Sequence, residues 1–160
     1  MKYLKFSTGD VSLDIIKHIL LNNRVIGYGV PTSQNLSCAW IFNLYFEGFD
    51  KTLSFSSDVA SSTGWKEYGY LKMDLKPVES NKDLITYVAI EPIDISSLDI
   101  LINEEDDIIA ECGLILIGEN KRWVVISTSP APGAVSVKAD FNTVGYKPEI
   151  LLEQCSIKRI

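Results

Sequence analysis

The chain has 160 residues, 46% hydrophobic and 22% charged, with a formal net charge of −6. That length fits one domain over 1–160, which can bury most of the surface its unfolded form exposes, so neither disorder nor a need for staples is indicated. Lys and Arg occur as singles or as pairs such as Lys121-Arg122 and Lys158-Arg159, which gives no basic patch for nucleic acid, and no stretch approaches the ~20 apolar residues of a membrane span.

Lys2–Ser7 reads as a short strand with Leu4 and Phe6 on one side. A Ser7-Thr8-Gly9-Asp10 turn follows, with Asp10 placed to cap a helix from Val11 to about Asn22. Val11, Ile15, Ile16, Ile19 and Leu20 recur at helical spacing and predict one apolar face. The period then changes to two. Arg24–Val30 is a predicted strand with Gly27 and Gly29 on one face, where glycines let a backbone or ring approach closely. Cys38–Glu47 is another, with Trp40, Phe42, Leu44 and Phe46 inward. Gly48–Lys51 turns the chain into Thr52–Ser56 as a hairpin. The Ser-rich stretch Ser56–Gly64 is expected as a loop.

Within Trp65–Lys76, Leu71, Met73 and Leu75 alternate with Tyr70, Lys72, Asp74 and Lys76, so one face is core and the other solvent. Pro77–Asp83 is an expected loop, and Leu84–Glu91 the next strand. Ile93–Asn103 is open between a strand and a short helix begun by a capping box from Ser96 to Asp99. Glu104-Glu105-Asp106-Asp107 is an acidic run that must be exposed. Ile108–Ile117 and Arg122–Ser129 are apolar on both faces and joined by Gly118–Lys121. Strands of that kind are buried on both sides, which makes this hairpin the expected centre of the sheet. Ala134–Phe141 alternates, with Val135, Val137, Ala139 and Phe141 inward. Ile150–Ile160 is a final strand and the candidate edge through which a homodimer could form.

The result is mainly β (α+β by content): an antiparallel β-sandwich or strongly curved sheet with one N-terminal helix packed on it. Parallel β-α-β alternation is missing, which disfavours a dinucleotide fold.

Motifs with chemical meaning are few. His18 is the only histidine and lies at the border of the helical apolar stripe, with no partner for general-base work in its sequence neighbourhood. Cys38, Cys112 and Cys155 lack the paired spacing of a zinc site and read as buried reduced thiols. No cofactor or metal is expected. A carboxylate pair drawn from Glu67 and Asp74 is disfavoured, since the two point to opposite faces of one predicted strand. Met1–Phe6 has no signal-peptide character, so a reducing cytoplasm is the expected location.

Two features remain. The run Glu104, Glu105, Asp106 and Asp107 carries four of the six net negative charges and could steer a basic partner. Trp65, Tyr68 and Tyr70 form an aromatic cluster, with Tyr68 and Tyr70 on the polar face beside Lys66 and Lys72. Such rings suit protein interfaces or sugar stacking. In profile the chain resembles the small acidic inhibitor and immunity proteins that bacteria keep in the cytoplasm: one compact acidic domain without a catalytic constellation or targeting signal. The resemblance implies a protein-binding module that neutralises a basic partner, through Glu104–Asp107 with Tyr68 and Tyr70. The alternative is a carbohydrate-binding β-sandwich using Trp65, Tyr68 and Tyr70.

Overall fold

The computed structural model describes residues 1–62, 64–78 and 84–160. Its elements in chain order are β1 (Lys2–Leu4), α1 (Leu13–Asn22), β2 (Val25–Pro31), β3 (Phe42–Phe46), β4 (Lys51–Ser61), β5 (Glu67–Pro77), β6 (Ile85–Ile93), β7 (Ile95–Glu105), β8 (Ile108–Gly118), β9 (Trp123–Thr128), β10 (Val135–Ala139) and β11 (Ser156–Arg159). They form two sheets. One runs β10-β9-β8-β7-β11, with β1 parallel beside β8; the other runs β5-β4-β3-β2-β6. All other ladder pairings are antiparallel. The fold is therefore the expected mainly β sandwich with one N-terminal helix. Among the described residues no helix is long and apolar enough to cross a membrane.

The centre of the first sheet is the β8–β9 hairpin, as its two-sided apolar pattern predicts. Leu114 and Leu116 of β8 and Val124 and Ile126 of β9 are buried against Phe42, Leu44, Phe55, Leu71 and Met73 of the second sheet. Val135, Val137 and Ala139 complete that layer. Removing one such ring, as in Phe55→Ala, costs about 3–5 kcal/mol, because the cavity left behind collapses only in part. Tyr28 stacks between Phe42 and Phe141 at centroid distances of 5.8 and 5.6 Å. Across the outer face of β2, the Tyr87 ring lies where a Cβ on Gly27 would stand 2.4 Å from its hydroxyl, so the glycine exists for that close approach.

The helix starts two residues later than its apolar spacing suggests. Ser12, not Asp10, is its cap, accepting from Ile15 N at 3.2 Å. Ile16, Ile19 and Leu20 are buried, whereas Ile15 is exposed, so the buried stripe is narrower than predicted.

Three further expectations are corrected and one open choice is settled. The segment from Ser56 continues as β4 to Ser61, because β5 pairs with it residue by residue as far as Ser61↔Glu67; serine is accommodated by bonds such as Ser57 Oγ to Ala134 O at 2.7 Å. Thr63, in the same expected loop, lies outside the described residues, as do residues 79–83 of the expected Pro77–Asp83 loop. Trp40 is 69% exposed. The extended strand begins only at Phe42, and before it Ala39 pairs with Val135 and takes the buried position, which turns Trp40 outward. The ambiguous segment is strand: β7 carries Ser96–Asp99, and a switch at Asp94 moves the chain from one sheet to the other. The C-terminal strand shrinks to Ser156–Arg159, after a 3-10 turn at Leu152–Gln154. It does form an edge of its sheet, as expected.

Candidate functional site

Two hairpin tips meet at one end of the sandwich. The β4–β5 tip is closed by Ser62 N donating to Lys66 O at 2.8 Å and Trp65 N to Ser62 O at 3.2 Å. These bonds hold Trp65 at a φ of +67°, a left-handed conformation uncommon for a bulky residue. Trp65 is 92% exposed, the most exposed of the large hydrophobic residues among the described residues. The second tip is the β7–β8 turn. Glu105 and Ile108 face each other across the ladder, with Asp106 and Asp107 between them and Asp106 at a φ of +51°. Aspartate tolerates that conformation better than most residues.

The tips are tied together by charge. Lys66 forms an ion pair with Glu105, and its ammonium lies 5.3 Å from the Tyr68 ring centroid. The Tyr68 hydroxyl donates to Asp106 at 3.4 Å. Glu105 lifts the Lys66 ammonium above its ordinary value through their hydrogen bond. The Tyr68 hydroxyl is likewise raised, first by burial and then by the Glu105 charge.

A latch further along β5 sets the spacing between the sheets. Both carboxylate oxygens of Glu149 accept from Gly69 N at 3.2 Å, and Oε1 also accepts from Thr128 Oγ1 at 2.8 Å. A Cβ on Gly69 would stand 2.5 Å from that carboxylate and 3.1 Å from Thr128 Cβ. Glycine is therefore required for β5 to approach β9 this closely.

The structure brings together most residues singled out from sequence and corrects the role of one. Glu104, Asp106 and Asp107 are exposed and Glu105 is half-buried at the turn. Tyr68, expected on a solvent face, is 1% exposed. Leu4 of β1 and Ile108 and Ala110 of β8 pack over that part of β5, a contact between distant segments that alternation along one strand cannot reveal. Tyr70 is half-buried and directly across the ladder from Asp58; burial first, and then the Asp58 charge, raise its hydroxyl above the ordinary value. Trp65, Tyr68 and Tyr70 thus form no open platform for sugar stacking; Trp65 alone presents its ring.

No family model matches the chain. No curated protein and no solved structure matches it significantly.

Other chemical groups lie apart from the tips. His18 is exposed on α1, its ring nitrogen 3.2 Å from the Asn22 side-chain amide. Among the described residues no three His, Cys, Asp or Glu side chains converge to hold a metal ion. At the far end of β8, Arg122 pairs with Asp140 and donates to the carbonyls of Glu91 and Pro92 at 3.0 and 3.1 Å. A groove of about 550 Å³ runs beside this pair, between β6 and Phe141. The expectation of three buried thiols is also corrected: Cys38 is exposed, Cys155 is half-buried, and only Cys112 is in the interior.

Sequence reasoning missed Glu149 and Gly69. Neither belongs to a motif, and their contact joins segments 80 positions apart. Lys66 was visible only as a lysine on the polar face beside Tyr68 and Tyr70; its partner comes from the other sheet.

Proposed function

We propose that this protein is an acidic protein-binding module of the inhibitor or immunity type, and that the two joined hairpin tips are its contact surface. The observation that carries the reading is Trp65, a bare indole held at a strained turn beside the acidic β7–β8 turn. Interfaces draw most of their affinity from a few aromatic or arginine anchors that enter a pocket on the partner. Acidic residues around such an anchor speed the approach of a basic partner and fix its orientation. Glu104, Asp106 and Asp107 supply that rim, while Tyr68 supports the turn from beneath.

The test compares capture of binding proteins from lysate of the native host by the parent chain, by Trp65→Ala and by a variant with Glu104, Glu105, Asp106 and Asp107 changed to their amides. The reading expects one basic protein retained at low salt, released by a salt ramp, and lost with either variant. Equal retention by all three chains would overturn it.

A homodimer is a second reading, and one feature favours β6 over β11 as its edge. Leu84–Ile90 is seven residues without a charge, and Leu84, Tyr87 and Val88 are exposed there. A net acidic molecule meets its own copy with least repulsion along such an edge. By contrast, β11 is four residues long and carries Lys158 and Arg159, the latter paired with Asp99. Sedimentation of the parent and of Val88→Lys decides this: a dimer that the lysine dissociates supports it, and a monomer at every concentration removes it.

A further inference from the structure

Two thiols meet beneath the C-terminal segment. The β7–β8 register passes from Leu101↔Gly113 to Ile102↔Glu111, so Cys112 is the extra residue of a bulge and has no partner across the ladder. Bulges re-aim a side chain. This one sets Cys112 in a small cluster with Leu101 and Val125, covered by Tyr146, Leu152 and Cys155. The two sulfurs are 3.9 Å apart, between residues 43 positions apart in sequence. Cys38 is exposed, and its sulfur accepts from the Ser129 hydroxyl at 3.7 Å.

We propose that Cys112 and Cys155 are an oxidation site that takes a hydroperoxide as its two-electron oxidant and closes to a disulfide fastening the C-terminal segment to β8. Cys155 is the attacking sulfur, since it is the half-buried one that a small oxidant can reach. The hydrogen bond from Cys112 holds its thiol below the ordinary cysteine range, while the same pairing and burial push Cys112 up. The Cys155 thiolate attacks one peroxide oxygen and the O–O bond breaks, leaving a sulfenic acid on Cys155 and releasing hydroxide or alkoxide, which takes up a proton. The Cys112 sulfur then attacks the Cys155 sulfur. The S–S bond forms, the S–O bond breaks, and hydroxide leaves with the Cys112 proton as water. With hydrogen peroxide the sum is two thiols and one peroxide giving one disulfide and two waters. The sulfurs must close to about 2.05 Å. Rotation about the Cα–Cβ bond of Cys155, which sits just past the 3-10 turn, supplies the movement.

The consequence falls on β11. Its residues are all exposed, and they pair only with β7. The crosslink anchors the segment before it to a strand deeper in the sheet and removes open conformations of the C-terminus.

The test uses the full chain, reduced and then treated with one equivalent of hydrogen peroxide. The expected result is a fall from three free thiols to one, a mass lower by about 2 Da, and a peptide map joining Cys112 to Cys155. Thermal midpoint rises, amide exchange across Ser156–Arg159 slows, and dithiothreitol reverses both. Cys38→Ser is expected to lose both remaining thiols and form the same crosslink. Cys155→Ser, a change at a half-buried position, is expected to form none. Survival of all three thiols, or a map dominated by Cys38 linked between two copies, would overturn the proposal. So would a 112–155 crosslink that leaves β11 exchange unchanged, as regards the fastening.

Discussion

Strand β8 begins at one charged turn and ends at another, and the two are built on opposite terms. At its start lies the acidic turn, where Lys66 and Glu105 pair with side chains 56% and 36% exposed. At its end lies the β8–β9 turn, where Arg122 and Asp140 pair at 18% and 17%. The ends are roughly 33 Å apart for a strand of this length. At the far turn every contact closes inward: Arg122 satisfies a carboxylate and two carbonyls at the point where β6 hands over to β7. At the acidic turn the charges face water beside a tryptophan with nothing packed upon it. A buried, many-partnered charge belongs to the fold. Exposed charges contribute little to folding, and under the proposed function they and the unburied ring are the surface a partner would meet.

The largest effect is expected at the buried turn. Arg122→Ala leaves the Asp140 carboxylate uncompensated, and its Oδ1 is already buried without a hydrogen-bond partner among the described residues. Losing one member of a mostly buried pair costs about 3 kcal/mol or more. Urea unfolding reads this, and a change under about 1 kcal/mol, the scale of exposed pairs, would erase the difference between the two turns. At the acidic turn, Trp65→Ala is expected to leave the unfolding midpoint in place while weakening the partner complex by about 2 kcal/mol, or about 30-fold. A drop in thermal stability instead would show the indole to be packed.

An intermediate case lies under the C-terminal segment. Burial raises the Tyr146 hydroxyl to about 12 from its ordinary 10, against a lowering influence from Ser127. The folded chain thus holds this proton more tightly than the unfolded chain does. Its contribution is complete below pH 10 and is lost as pH rises toward 12. Stability measured from pH 9 to 12 should fall, and Tyr146→Phe should flatten that fall. An unchanged slope would mean that other groups, the raised Cys112 thiol among them, govern the alkaline limb.

What the sequence made legible follows from the range of the interactions. The β8–β9 hairpin was readable because each strand is apolar on both faces, a property of single segments. The inward sets Leu71–Met73 and Val135–Val137–Ala139 were readable from a period of two. Tyr68 was not, because β1 and β8 cover a face that its own strand marks as polar. Trp40 was not, because alternation was extended past the point where the strand begins. The Cys112–Cys155 meeting depends on a one-residue bulge, and the Glu149 latch on a contact between sheets. Of the proposed contact surface, the acidic run and Trp65 were visible in sequence; the Lys66 bridge that unites them was not.

That bridge supports the smallest prediction, and one whose sign is informative. Lys66→Ala removes an exposed ion pair, which contributes little to folding, so the unfolding midpoint should hardly move. Its effect on binding should run the other way from that of Trp65→Ala. Without the ammonium, Glu105 is no longer neutralised and the turn becomes more negative. A basic partner should then associate faster at low salt, with the gain disappearing as ionic strength shortens the screening length. Association rates across a salt series for parent and variant measure this. If the variant binds more slowly at every salt concentration, Lys66 acts by holding Trp65 and the acidic turn in register, and the geometry of the two tips outweighs their charge.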